Sequence, residues 1–232
     1  TPLLLTGATV NGGILEYGPG PVYAAFTLAK IEREAVLGQL PAPPGSPADT
    51  IPHLFRNLLV FRLGTRTQTD DRLVVSGLYA VDDDQTRSIL RLSNPAIQPG
   101  IEENIVLGLA ARVSRKNGDV SLEGEANGSL FSTDRDGAEV VNRPSTGFLR
   151  RLFGSRIREG SAVDWAGSLR SSALLFGGKG KLSADARFVG PGYTSVGVKG
   201  LRQDVLQYNL SFDQSLAADR IAFSAARAMV IV

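Results

Sequence analysis

Apolar and polar residues alternate with period two over most of the chain, and the clearest case runs from Glu103 to Phe131. In its second half Val120, Leu122, Gly124, Ala126 and Leu130 alternate with Ser121, Glu123, Glu125, Asn127 and Ser129. Successive side chains of a strand point to opposite faces, so this pattern predicts a strand with one apolar and one polar side. In the first half Ile105, Leu107, Leu109, Ala111 and Val113 form the apolar row, and Gly108, Ala110, Arg112 and Ser114 the other. Asn117-Gly118 lies between the halves, and both residues tolerate the positive φ of a tight hairpin turn. A two-residue turn there sets Lys116 opposite Asp119, Val113 opposite Leu122 and Arg112 opposite Glu123. Apolar then meets apolar, and charge meets opposite charge.

The same periodicity predicts roughly ten strands in all. Leu3–Tyr17 is followed by a turn at Gly18-Pro19-Gly20-Pro21, and an apolar row Val22, Ala24, Phe26 and Leu28 then leads to Lys30, Glu32 and Glu34. Leu58–Thr67 carries Arg62 and Arg66 on one face and Leu59, Phe61 and Leu63 on the other. It turns at 68–71 into Arg72–Asp82. Ala162–Phe176 and Lys181–Gly190 form a second hairpin. A Gly178-Lys179 turn sets Gly177 opposite Gly180 and Leu175 opposite Leu182. Its weak point is Arg170 opposite Arg187, a like-charge pair. Asp204–Gln214 and Arg220–Val232 close the series. The segment 37–57 holds Pro41, Pro43, Pro44, Pro47 and Pro52 and is irregular. Inside 132–160, Phe148, Leu149, Leu152 and Phe153 share one helical face among Arg150, Arg151, Arg156 and Arg158. Two readings fit that helix: a basic contact with lipid headgroups or a partner, or a cap over the mouth of the strand assembly.

Composition narrows the chemistry. The chain has 232 residues, of which 43% are hydrophobic and 21% charged, which suits one β domain spanning 1–232 and excludes a disordered chain. Twenty-five Lys+Arg against 23 Asp+Glu leave a net charge of +2, which makes no case for nucleic acid. There is no cysteine, so disulfides, thiolate catalysis and cysteine zinc sites are excluded. The one histidine, His53, sits between Pro52 and Leu54 in the proline-rich segment, a poor setting for catalysis. Gly7–Gly13 and Gly177–Gly180 are glycine-rich, but neither leads from a strand into a helix, so phosphate binding is not expected. Asp82-Asp83-Asp84 has the carboxylates of a calcium site without its loop spacing. Glu123 and Glu125 share a strand face like a glycosidase pair, with pairing of Glu123 to Arg112 the commoner explanation. No enzyme activity, cofactor or metal is therefore expected. No signal peptide is visible, the chain starts at Thr1, and no apolar run approaches the roughly 20 residues of a membrane helix.

The order of the connections points further. Short turns near 18–21, 68–71, 115–118, 177–180 and 215–219 alternate with long loops at 37–57, 83–102, 132–160 and 191–203. A bacterial outer-membrane barrel has this order, with short periplasmic turns and long outer loops. The stretches IEENIVLGLAARVSRKNGDVSLEGEANGSLFSTD and SAVDWAGSLRSSALLF…ARFVGPGYTSVGVKGLRQD resemble hairpins of large bacterial outer-membrane β-barrel proteins, over residues about 55–225. The resemblance implies an all-β, antiparallel up-and-down transmembrane β-barrel, or a roughly ten-strand segment of a larger one. It also implies a place in the bacterial outer membrane and a pore, translocation channel or surface anchor.

On this reading Leu107, Leu109, Leu122, Ala126, Leu169, Leu182, Ala186, Leu206 and Leu210 face lipid. Arg112, Glu123, Glu125, Asn127, Ser168, Arg170, Asp185 and Arg187 face the lumen. The aromatic content of 7% is low for interfacial girdles, and the chain ends Ala228-Met229-Val230-Ile231-Val232 without a terminal aromatic. The first and last connections are both short, which fits an interior segment whose edges pair with further strands of a longer chain or with other envelope subunits. A soluble, secreted β-sandwich for adhesion or surface assembly is the alternative.

Overall fold

A computed structural model describes residues 11–33, 54–66, 72–83, 100–115, 119–138, 140, 148–198, 201–216 and 221–231. His53, Asp84, the Asn117-Gly118 turn, the 68–71 turn and the first ten residues lie outside them. Ten strands follow one another along the chain. They are β1 (Asn11–Tyr17), β2 (Val22–Arg33), β3 (Leu54–Arg66), β4 (Arg72–Asp82), β5 (Glu103–Ser114), β6 (Val120–Ser132), β7 (Ala162–Leu175), β8 (Gly180–Val189), β9 (Val205–Leu216) and β10 (Ile221–Ile231). Each pairs antiparallel with its neighbours in sequence, giving a single sheet in up-and-down order. The sheet is not closed into a barrel within the described residues: β1 and β10 remain its two edges. One short helix, α1 (Phe148–Phe153), lies between β6 and β7.

The central hairpin has the expected register, with Arg112 facing Glu123 and Val113 facing Leu122. The second hairpin does not. Leu175 faces Gly180 and Ala173 faces Leu182, two residues away from the expected pairing. The cause is local. Phe176, Gly177 and Gly178 all take positive φ (53°, 66° and 91°), so the turn occupies 176–179 rather than Gly178-Lys179 alone. The shift sets Arg170 opposite Asp185 and Ser168 opposite Arg187, so the like-charge pair disappears. Because the shift is even, no side chain changes face.

The long loop expected at 37–57 ends earlier than the sequence suggested, because Leu54-Phe55-Arg56-Asn57 already belong to β3. Arg56 holds that end in place. Its Nε donates to Asp82 at 2.9 Å and one terminal nitrogen donates to Glu102 at 2.7 Å.

The basic helix inside 132–160 is present, but it does not span an end of the sheet. α1 contacts β6 and β7, and Phe148 and Leu152 line a cleft with Leu109, Ala126, Val163 and Trp165. Phe153 is buried. Just beyond the helix, Arg156 pairs with buried Glu103 at 2.8 Å and lies 5.8 Å over the Tyr79 ring. The helix therefore rests on the apolar face of the sheet, and Arg156 neutralises an acid placed there.

The register makes a direct prediction. Facing residues of antiparallel strands lie within disulfide reach, about 4.4–6.8 Å between Cα atoms, and the chain has no native cysteine to compete. A Ser172→Cys/Ser183→Cys variant should cross-link on mild oxidation, and Ser172→Cys/Asp185→Cys should not, read by mass spectrometry. The reverse result would restore the two-residue turn.

Candidate functional site

Every residue expected to face a lumen lies on one face of the sheet, and the pairing arranges these residues in rows. Across β4 to β9 the first row reads Arg72, Arg112, Glu123, Arg170, Asp185 and Asn209. The second reads Val74, Ala110, Glu125, Ser168, Arg187 and Gln207. The third reads Ser76, Gly108, Asn127, Ala166, Val189 and Val205. This face, called inner below, is thus charged toward the short turns and turns apolar toward the long connections. Leu58, Val60, Leu78, Ala80, Val106, Ala166 and Val189 continue it as a buried cluster.

Glu123 faces Arg112 across the β5–β6 pair, as expected, and it also accepts from Arg72 at 2.9 Å, reaching past β5. Glu125 accepts from Asn127 at 2.8 Å and Asp185 from Asn209 at 2.9 Å. Glu123 and Glu125 are therefore engaged by neighbours on their own face. The Asp82-Asp83 carboxylates are likewise taken by cations. Asp82 is buried against Arg56, and Asp83 accepts from Lys30 at 2.9 Å. Among the described residues no group of three or more His, Cys, Asp or Glu is placed to hold a metal ion.

The sequence reading missed one component. The segment 190–198, expected within an outer loop, folds down onto the inner face and packs there as a strap. Tyr193 is 0% exposed and belongs to the buried cluster with Val106 and Val189. Four polar contacts fasten the strap to distant strands. Asn104 of β5 donates to the Thr194 carbonyl at 3.0 Å and accepts from the Val196 N–H at 2.9 Å. Ser129 accepts from the Thr194 N–H at 3.1 Å, and Asp164 accepts from the Gly192 N–H at 2.9 Å. The Asp164 carboxylate occupies the space a β-carbon at Gly190 would need, so a larger residue there would displace the carboxylate from the Gly192 N–H. The available signal was the run Tyr193, Val196, Val198 and Leu201, more apolar than a solvated loop requires.

The strap also touches the charged rows electrostatically. Burial raises the Tyr193 phenol well above its ordinary pKa, the Glu125 carboxylate adds to this, and Arg187 partly offsets it. Tyr193 is therefore a neutral hydroxyl beside Glu125 and Arg187. Below it, Glu123, Glu125, Ser168, Arg170, Asp185, Arg187, Gln207 and Asn209 line a pocket of about 410 Å³.

The buried Asn104 carries the strap. Its amide also donates to the Leu130 carbonyl at 3.1 Å, so all its hydrogen-bonding groups are used. An Asn104→Leu variant strands the Val196 N–H and the Thr194 carbonyl, at a cost of about 1–3 kcal/mol per buried group. Amide exchange at Val196 should rise, and protease should gain access to 191–198, while the β5–β6 pairing stays protected.

Comparison with known proteins finds no family model, no curated protein and no solved structure that matches the chain.

Proposed function

We propose that this chain is a transmembrane β-barrel, or a segment of one, of the bacterial outer membrane, acting in passage across that membrane or in surface anchoring. The observation that carries the proposal is the outer face of the sheet. Leu109, Leu169 and Leu210 are 51%, 52% and 52% exposed. Leu59, Leu63, Leu73, Val75, Val113, Leu122 and Leu206 stand exposed on the same side. Water-soluble monomers seldom leave so continuous an apolar surface uncovered. A soluble β-sandwich would cover it with a second sheet, and all ten described strands belong to one sheet. Lipid is the solvent that suits such a face.

Two further features support the reading. The observed strand ends keep the strict alternation of short and long connections, as in bacterial barrels. Charge gathers on the inner face, where a lumen would hold water. Within a bilayer the free edges of β1 and β10 would need partners, because exposed backbone groups are not tolerated in hydrocarbon. Further strands of the same chain or another envelope subunit would supply them.

Substitution on the two faces tests the proposal. Leu109→Arg should destabilise the protein in lipid vesicles by about 2–4 kcal/mol if it sits near the midplane. Gln207→Ser, half-buried on the inner face, should cost much less. Urea titration of both variants in vesicles, with flotation of the native chain alongside them, reads the difference. Equal tolerance of both changes, or a native chain that stays out of the vesicles, would remove lipid as the partner of the outer face.

A further inference from the structure

The pocket below Tyr193 has an imbalance that the fold itself does not settle. Its three acids each accept a hydrogen bond, Glu123 from Arg72 outside the pocket and Glu125 and Asp185 from the neutral amides of Asn127 and Asn209. Its two arginines have no such side-chain partner. Among the described residues Arg170 and Arg187 make no ion pair, and the buried Nε of Arg187 has no hydrogen-bond partner. The buried Nε of Arg187 is costly to leave without an acceptor, and Arg170 is exposed, so its donors are open to a ligand. Arg170 faces Asp185 and Arg187 faces Ser168, so the two are diagonal neighbours on β7 and β8. Diagonal positions lie about 7–8 Å apart, within reach of long side chains. Two planar forks at that spacing can grip one oxyanion between them.

The rest of the lining has a different character. Ser168, Gln207 and Asn209 supply neutral donors and acceptors, and the Glu125 and Asp185 carboxylates keep further lone pairs. Such groups suit hydroxyls. The volume of about 410 Å³ fits a small molecule. We infer that this pocket binds a small hydroxylated oxyanion, a sugar acid or sugar phosphate, with its carboxylate or phosphate held between Arg170 and Arg187 and its hydroxyls against Ser168, Gln207 and Asn209. The site needs no lipid around the outer face. Its failure would leave the membrane proposal standing, and the reverse also holds.

Isothermal titration of the folded full chain with gluconate and with glucose 6-phosphate tests this, with glucose as the neutral control. The native chain should bind at least one of the two anions saturably and more tightly than glucose, with affinity falling as salt is added. Arg170→Gln, at an exposed position, should weaken binding about tenfold, and Arg187→Gln by about tenfold or more. Arg187→Lys should recover part of the loss by keeping the charge without the fork. Arg151→Gln, on the exposed side of α1, should change nothing. Circular dichroism of each variant reports its fold. Absence of saturable anion binding, glucose binding as tightly as the anions, or unaltered affinity in a folded Arg170→Gln protein would overturn the inference.

Discussion

Antiparallel register is the constraint on which everything else in this molecule depends. Nine successive pairings join ten strands, and a slip of one residue in any of them would exchange that strand's faces. The charged rows exist because Arg112, Glu123, Arg170 and Asp185 come level through three separate pairings. From Arg112 to Asp185 cations and anions alternate, so Glu123 and Arg170 each meet opposite charge on both sides, while Arg72 stands beside Arg112 at one end of the row. A two-residue slip preserves the faces and destroys this alternation. Electrostatics therefore selects among the registers that hydrophobic patterning leaves equivalent.

The two faces are stabilised by different means. On the inner face the strap covers an apolar cluster, and its polar groups are absorbed by Asn104, Ser129 and Asp164. On the outer face most apolar side chains have no protein covering. The exception lies around Glu103, where a buried carboxylate would be costly alone. There α1 and the residues after it fold back, Arg156 supplies the counter-charge, and Phe153 at the end of the helix is buried. Acid, cation and helix form one local solution.

Much of the architecture was legible because period two is a direct consequence of strand geometry. The β5–β6 hairpin was readable to the residue, since an Asn-Gly turn and two independent rows fixed one register. The β7–β8 hairpin was misread by two because Gly178-Lys179 looked like a two-residue turn, while Phe176 itself takes positive φ, a state that sequence disfavours. The like-charge clash of Arg170 with Arg187 was already evidence against the shorter turn. The faces of all eight candidate residues were legible, but not every partner was. Arg72 reaches Glu123 along the row, across an intervening strand, a contact between second neighbours that pairwise strand rules do not encode. The strap escaped notice because nothing in the spacing of Tyr193 and Val196 says that a loop turns inward.

The strap's anchors also order events in time. Val196 is bound to Asn104 from 92 residues away, and Thr194 to Ser129 from 65. Hairpins such as β5–β6 close over a few residues, whereas the strap has no seat until β5, β6 and β7 stand side by side. Loop-closure entropy sets long-range contacts after short ones. Until then Tyr193 and the cluster beneath it remain wet. Seating the strap is therefore a late, consolidating step, the moment at which the inner face acquires its floor.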